Sequence, residues 1–304
     1  FGTTMANSGA VHAWKPGLYL GSCIDFETDG SADPEAGTDG TGGDDNTAGL
    51  FVDGTCATAN DDEDGVTLLT PLIPGNEACV EVTATSTVGT AVLNAWIDFN
   101  GDGDFAGDAN EFVVFNTVNG GALGSANGPI PNGTSTQTFC FDVPATATFD
   151  GGETHMRFRL SMNGTTNFDG LVTSGEVEDY HYPLAKIGNL VWEDYSFDGI
   201  QDTGEPGIEN VTVQLTWAGP DNTLGNGDDI VYSEMTNASG NYYFCGLIAS
   251  NYEVKVIDPA TLTPTKVNTG NDDYDDNDYM SQVVNITDPF NLPTGEDGLT
   301  DNPG

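Results

Sequence analysis

Residues 155–162 read HMRFRLSM, a segment in which polar and apolar side chains alternate. A period of two is typical of a β-strand that buries one face and exposes the other. One face carries Met156, Phe158, Leu160 and Met162, and the other carries His155, Arg157, Arg159 and Ser161. The segment therefore predicts one strand of a sheet that has a hydrophobic face.

The same alternation recurs along the chain, and no stretch shows the periodicity of a helix. NVTVQLTW at 210–217 aligns Val211, Val213, Leu215 and Trp217 on one face, and YEVKV at 252–256 repeats the pattern. Most of the 40 glycines lie between such runs, where turns need them. Many short strands joined by glycine-rich turns predict an all-β protein made of β-sandwiches.

The length of 304 residues predicts two domains. SGEVEDYHYPL closes one strand pattern and KIGNLVWEDYS opens the next, so we expect domains at 1–185 and 186–304. The first 75 residues are rich in Gly and Asp, and we expect them to form long loops over the first sandwich. The chain ends in the turn-like GEDGLTDNPG, which suggests that the second domain lacks its last strand and that the chain belongs to something longer.

The charge balance excludes several classes of partner. The chain has 48 Asp and Glu against 6 Lys and Arg, a net charge of -42. Nucleic acid and anionic membranes both require a positive surface. No apolar run approaches the roughly 18–20 residues that span a bilayer, so we expect no membrane insertion. Bound cations are the simplest relief for so much negative charge.

The five cysteines form no C-x-x-C pair, which argues against zinc. Alternation in CVEVTAT and TFCFDV places Cys79 and Cys140 on the polar faces of their strands, so we predict a cross-strand disulfide. Cys23 and Cys56 would then pair in the loop-rich N-terminal part; the alternative is free surface thiols. Disulfides indicate an extracellular location, on the cell surface or secreted. Cys245 is left over for pairing between molecules.

Residues 194–205, DYSFDGIQDTGE, have the spacing of an EF-hand calcium loop. Such a loop takes oxygen ligands from positions 1, 3, 5, 7, 9 and 12 and needs Gly at position 6. Here these positions are Asp194, Ser196, Asp198, Ile200 through its carbonyl, Asp202 and Glu205, with Gly199 at the sixth. The alternative is an acidic turn that meets the pattern by chance.

A second candidate calcium loop is DFNGDGDFAGDANE at residues 98–111. Its predicted ligands are Asp98, Asn100, Asp102 and Asp104, and either Asp108 or Glu111 closes the sphere. The alternative is a solvated hairpin tip. Four further acidic stretches, at 25–30, 60–65, 221–229 and 271–278, are weaker candidates. Clustered carboxylates suit a hard cation such as Ca²⁺.

Two further patterns concern ionisable residues. Arg157 and Arg159 share one strand face and Glu176 and Glu178 share another, so we predict that these strands are neighbours and that the four residues form cross-strand ion pairs. The alternative is unpaired surface charge. His12, His155 and His181 stand apart in the sequence, and no nucleophile, phosphate-loop or dinucleotide motif is present. We therefore do not expect an enzyme.

The ordered motifs resemble two known families. AWIDFNGDGDF, HMRFRLSM and SGEVEDY, with DDEDGV upstream, resemble the GEVED domain of secreted bacterial proteins. IGNLVWEDYSFDGIQDTGEPGIENVTVQL, followed by SGNYYFCGLIASNYEV, resembles the SdrD B-like repeat, a Cna B- or prealbumin-like β-sandwich. The B-like resemblance implies a calcium-stiffened stalk module with ligands at Asp194, Asp198, Asp202 and Glu205, although Ser196 departs from the usual Asn or Asp.

Together these patterns predict two tandem β-sandwich domains with calcium-binding loops. The expected function is a calcium-stabilised structural module of a bacterial surface protein, such as a stalk, sheath or filament subunit. Its expected partners are calcium ions and copies of itself or further domains of the same chain. Two alternatives stay open: an adhesin that binds a glycan or protein through the loops of the first domain, and an accessory module of a secreted hydrolase.

Overall fold

The structure, a computed structural model, describes residues 9–24, 53–54, 64–106, 110–114, 129–257 and 281–287. The regular elements in these residues are strands, which confirms the prediction of an all-β fold. Among them no helix could cross a membrane. The chain divides into two compact units, Phe1–Tyr182 and Pro183–Gly304, just before the boundary that the sequence predicted.

The first unit contains two four-stranded sheets. Its strands are β1 Ala10–His12, β2 Leu18–Leu20, β3 Cys23–Ile24, β4 Asp53–Gly54, β5 Val66–Leu68, β6 Glu77–Ser86, β7 Val92–Ile97, β8 Phe112–Val114, β9 Gly133–Asp142, β10 Glu153–Ser161, β11 Gly170–Val172 and β12 Glu176–Pro183. β9 runs along one edge of β6, and β2 and β5 share the other edge. The second sheet has the order β12-β10-β7-β8. β1 pairs in parallel with β11, and β3 pairs with β4.

The hydrophobic core of this unit lies between the two sheets. Phe139 and Phe141 of β9 and Phe158 and Leu160 of β10 are at most 1% exposed. Alternation explains this burial, because every second side chain of a strand points to the same face. Tyr180 of β12 also crosses the core, and its hydroxyl accepts a hydrogen bond of 2.8 Å from the Val66 amide of β5.

β10 and β12 are neighbours, as predicted, but the predicted ion pairs are wrong. Arg157 forms a salt bridge with Asp179, at 2.5 Å between Nη2 and Oδ2. Glu176 and Glu178 lie on the inner face of β12, as does Tyr180. The Glu176 carboxylate accepts a hydrogen bond from the Leu20 amide. The Glu178 carboxylate accepts hydrogen bonds from the Gly65 amide at 3.2 Å and from the Tyr180 hydroxyl at 2.9 Å. The prediction failed because the arginines and the glutamates lie on opposite faces of the sheet. The arginine side chains point to the outer face, and the β12 carboxylate on that face is Asp179.

The outer face of β10 is also buried rather than solvated. Arg157 is 1% exposed and Arg159 is 0% exposed. The segment before β11 covers them, since Arg157 donates to the carbonyl of Phe168 at 2.9 Å and Arg159 to that of Asn167 at 2.8 Å. Five donors of Arg159 are taken by His12 and four backbone carbonyls, so it is held without the predicted glutamate partner.

A disulfide joins Cys79 of β6 to Cys140 of β9, the pair that strand parity selected. The two cysteines are directly opposite in the antiparallel register. The proposed Cys23–Cys56 pair lies outside the described residues, which include only the backbone of Cys23. Cys245 is a half-buried thiol of the second unit.

The second unit has strands β13 Ala185–Leu190, β14 Thr212–Trp217, β15 Ile230–Met235, β16 Asn241–Leu247, β17 Ser250–Ile257 and β18 Ser281–Ile286. β15-β14-β17-β18 form one sheet, and β13 pairs with β16. The inner residues Val213, Leu215 and Trp217 of β14 are at most 2% exposed, as the alternation predicted. The Trp217 indole donates to Ser250 Oγ at 2.9 Å, which satisfies its N–H inside the core. Residues 288–304, where a last strand would follow, lie outside the described residues.

Candidate metal centre

The first candidate loop begins where β7 ends. The Asp98 amide donates to the carbonyl of His155 at 2.9 Å, and Asp98 is 1% exposed. Its carboxylate accepts the amides of Gly101 at 2.6 Å and Gly103 at 2.9 Å. Both glycines have positive φ, 74° and 82°. A Cβ at Gly101 would lie 2.2 Å from the carbonyl of Asp150, so this turn requires glycine there.

The following side chains repeat one local bond. Asn100 accepts the Asp102 amide at 2.8 Å, Asp102 accepts the Asp104 amide at 3.1 Å, and Asp104 accepts the Ala106 amide at 2.6 Å. Each bond links a side-chain oxygen to the backbone two residues later, as in an Asx turn. The loop is therefore ordered by its own acidic and amide side chains.

Asp98, Asp102 and Glu111 converge in this loop. One carboxylate oxygen of each lies within 4.8 Å of the others, and Glu111 is 2% exposed. β7 and β8 bring Glu111 there, because its carbonyl accepts the Ile97 amide at 2.9 Å, next to Asp98. Of the two closing residues that the sequence left open, Glu111 lies in this cluster, and Asp108 lies outside the described residues.

This donor set fits a hard cation. It consists of oxygen atoms alone, and two of its three carboxylates are buried. Carboxylates this close repel one another unless a positive charge compensates them. Of the other predicted ligands, Asp104 is not part of this cluster, and the Asn100 side-chain oxygen accepts the Asp102 amide. Residues Asp98, Asp102 and Glu111 would hold a Ca²⁺ ion, which prefers six to eight oxygen ligands.

The loop at 194–205 has the same backbone hydrogen-bond pattern at its start as the loop at 98–111. Asp194 accepts the amides of Phe197 at 2.6 Å and Gly199 at 2.9 Å, which are three and five residues later, as for Asp98. The residues at those places again have positive φ, 58° at Phe197 and 86° at Gly199. Phe197 is thus a non-glycine residue in a left-handed conformation, where Gly101 stands in the other loop.

Glu205 closes the second loop. Its Oε1 accepts the amides of Tyr195 at 2.7 Å and Ser196 at 3.3 Å, and its Oε2 accepts that of Asp202 at 2.9 Å. One carboxylate therefore joins the beginning of the loop to its end. Asp198 accepts the amide of Ile200 at 2.9 Å, which orders the middle of the loop.

The two loops differ in how closely their carboxylates approach. Within the described residues, carboxylates of the 98–111 loop form a cluster of three, whereas those of the 194–205 loop do not. The other cluster that includes an acidic group combines Glu77 with Cys79 and Cys140, whose sulfurs form the disulfide. The first loop is thus the better-formed centre, although the second has the more regular ligand spacing.

The weaker candidate at 221–229 is ordered by similar bonds. Asp221 accepts the Thr223 amide at 2.8 Å, and Asp229 accepts the Gly225 amide at 2.7 Å. The stretches at 25–30 and 271–278 lie outside the described residues, as does most of 60–65.

The histidines, which stand apart in the sequence, are partly brought together. The rings of His155 and His181 stack with centroids 4.8 Å apart, and His181 Nε2 lies 2.8 Å from Glu153 Oε2. Burial, and then the neighbouring His181, lower the pKa of His155. Strand alternation could have suggested the pair only if the register of β10 and β12 had been known.

Comparison with known families agrees with the order of the two resemblances. Residues 92–182 match the GEVED domain, and residues 185–304 match the SdrD B-like domain. The prediction of one followed by the other is confirmed.

Several staphylococcal proteins are similar to the chain. Serine-aspartate repeat-containing protein F of Staphylococcus epidermidis is 31% identical over 225 residues, which cover 66% of this chain and 13% of that protein. Serine-aspartate repeat-containing protein E of Staphylococcus aureus is 39% identical over 117 residues, or 38% of this chain and 9% of that protein. The chain thus spans a small part of the curated relatives that it matches.

Solved structures of pilins are distant neighbours. Domains D2 and D3 of the major pilin SpaD from Corynebacterium diphtheriae have a TM-score of 0.34 and 11% identity, covering 73% of this chain and 89% of that one. The T6 backbone pilin of Streptococcus pyogenes has a TM-score of 0.28 and 11% identity, covering 82% of this chain and 57% of that one.

Proposed function

We propose that this chain is a calcium-stabilised, extracellular, non-enzymatic structural module of a bacterial cell-surface protein, part of a stalk, sheath or filament. The observation that carries the proposal is the cluster of Asp98, Asp102 and Glu111, whose oxygens lie within 4.8 Å of one another. The match of residues 185–304 to the SdrD B-like domain supports a role as a repeated surface module. The disulfide between Cys79 and Cys140 supports an oxidising location.

The positions of the loops explain how metal binding would stiffen the module. Asp98 follows β7 and Glu111 precedes β8, while Thr154 of β10 donates to the carbonyl of Asp98 at 2.7 Å. A cation held by these carboxylates would therefore tie the ends of three neighbouring strands. Asp194 and Glu205 close the connection between β13 and β14 in the same way.

The magnitude follows from mass action. A ligand that binds only the folded state stabilises it by RT ln(1 + [L]/Kd). For extracellular calcium modules Kd is roughly 10⁻⁴–10⁻³ M, so about 10 mM free Ca²⁺ would add about 1.4–2.7 kcal/mol for each site.

The test is thermal unfolding against free Ca²⁺, with EDTA and Mg²⁺ as references. We expect the melting temperature to rise with Ca²⁺ and the rise to shrink in Glu111→Gln and in Asp194→Asn. Glu111→Gln should also stabilise the protein in EDTA, because it relieves repulsion with Asp98 and Asp102. A matched control is Asp142→Asn, an exposed carboxylate on β9. A melting temperature that ignores Ca²⁺ would contradict the proposal and leave the acidic loops as solvated surface.

Adhesion is the second candidate function. One relative, 38% identical over 117 residues, is the bone sialoprotein-binding protein of Staphylococcus aureus. In the first unit Trp14 is 42% exposed and could contact a ligand. Binding to a glycan or protein panel that is lost in Trp14→Ala, with Ca²⁺-dependent stability unchanged, would favour adhesion through the first unit.

A further inference from the structure

The hydrogen bonds of His12, the last residue of β1, are compatible with only one protonation state of its ring. Arg159 Nε donates to its Nε2 at 2.9 Å, and its Nδ1 lies 3.0 Å from the carbonyl oxygen of Ser174. The guanidinium can only donate, so Nε2 must carry a lone pair. The carbonyl can only accept, so Nδ1 must carry the proton. The two contacts together select the neutral imidazole with its hydrogen on Nδ1.

Arg159 connects β1 to the sheet and to β11. Besides His12, it donates to the carbonyl of Val11 in β1 at 3.2 Å and to that of Gly170 in β11 at 2.8 Å. The carbonyls of Asn167 and Asp169 accept its remaining hydrogens, each at 2.8 Å. All five donors are thus used, and two of them hold β1.

The rest of the attachment of β1 is small. β1 pairs with β11 over three residues, Ala10–His12 opposite Gly170–Val172. Two further backbone bonds extend the pairing, from Ala13 to Val172 at 2.8 Å and from Gly170 to Gly9 at 3.2 Å. So short a strand depends on the side-chain contacts at its end.

We propose that the contact between His12 and Arg159 is an acid-labile latch, and that protonation of His12 releases β1 from β11. A proton on Nε2 would face the Nε–H of Arg159, so the hydrogen bond would be replaced by repulsion between two cations. The charged groups around the latch are Arg159 and Arg157 of β10, with Asp169 and Asp179 nearby. The arginines oppose a charge on His12, and the two carboxylates bear mainly on Arg159.

The electrostatics set the pH range of the latch. Burial, then the charge of Arg159, lowers the pKa of His12 from 6.5 to about 3. A released β1 would let His12 titrate near 6.5. The attached state therefore keeps its full advantage above pH 6.5 and loses it as the pH falls toward 3, about tenfold for each unit. At pH 5 the equilibrium between attached and released β1 should have shifted about 30-fold toward release.

The experiment is hydrogen exchange of the Ala13 and Gly170 amides at pH 7.5 and 5.0, corrected for intrinsic rates and with Ca²⁺ constant. We expect their protection to fall by about 30-fold at pH 5.0 in the wild type. The reference is the Thr83 amide of β6, which donates to the Gly65 carbonyl at 2.8 Å, and its protection should not change. His12→Gln is the matched variant, because its side chain stays neutral and can still accept from Arg159.

Loss of protection at the Ala13 and Gly170 amides in the wild type, absent in His12→Gln, supports the latch. Equal loss in both proteins, or no loss in the wild type, overturns it. If His12→Gln does not fold, the His12 ring is titrated by NMR in the wild type. A pKa well below 6.5 together with loss of protection at Ala13 supports the latch, and either a pKa near 6.5 or unchanged protection overturns it.

Discussion

Replacing Asp179 by Asn should destabilise the first unit strongly, because it removes the carboxylate that compensates the buried Arg157 guanidinium. The native pair is bidentate, with Arg157 Nε 2.6 Å from Oδ1 and Nη2 2.5 Å from Oδ2 of Asp179. Its side chains are 2% and 14% exposed. Breaking a buried pair by removing one partner costs about 3–5 kcal/mol. Because water reaches part of Asp179, we expect a loss of about 2–4 kcal/mol in the free energy of unfolding.

The assay is urea unfolding at pH 7 with excess Ca²⁺, followed by intrinsic fluorescence. Trp96 is a suitable reporter, since it lies opposite Arg157 in the sheet and is 2% exposed. The transition of the second unit should not move, and Glu81→Gln, an exposed carboxylate on β6, should change stability by less than about 0.5 kcal/mol. A loss below about 1 kcal/mol in Asp179→Asn would refute the claim that this pair compensates a buried charge.

Two further predictions concern the same unit. The Cys79–Cys140 disulfide closes a separation of 61 residues, for which chain entropy predicts about 4 kcal/mol, so the double alanine variant should lose about 2–4 kcal/mol in urea unfolding. An unchanged urea midpoint would show that the disulfide does not constrain the unfolded chain. Gly175 and Gly133 have the same φ of 105°, but only at Gly175 would a Cβ clash, 1.8 Å from the Leu160 carbonyl oxygen. Gly133→Ala should therefore cost about 1–3 kcal/mol and Gly175→Ala clearly more; equal melting temperatures would contradict this.

Local patterns were sufficient for much of the fold. The alternation of HMRFRLSM correctly assigned Phe158 and Leu160 to the core, and the same reasoning buried Trp217. Parity also placed Cys79 and Cys140 on matching faces. These predictions hold because the side-chain period of a strand is a property of consecutive residues.

The two acidic loops were only partly predictable. The spacing of their carboxylates and Gly199 were visible in the sequence, since each turn is built from bonds to residues two to five positions later. The left-handed conformation of Phe197 was not visible, and neither was the convergence of Glu111 on Asp98. That convergence requires β7 and β8 to pair across a connection whose length alone does not specify where it returns.

Consecutive residues specify which side chains share a face of each strand and which turns can order an acidic loop. The side chains and segments that pack against those faces follow only from the folded chain. Arg157 and Arg159 lie on the polar face of their strand, which the sequence pattern alone would expose to solvent. In the folded chain β1, β11 and Asp179 cover that face. The physical reason is the distance along the chain: His12 and Arg159 meet across 147 residues, and no local periodicity records a contact of that separation.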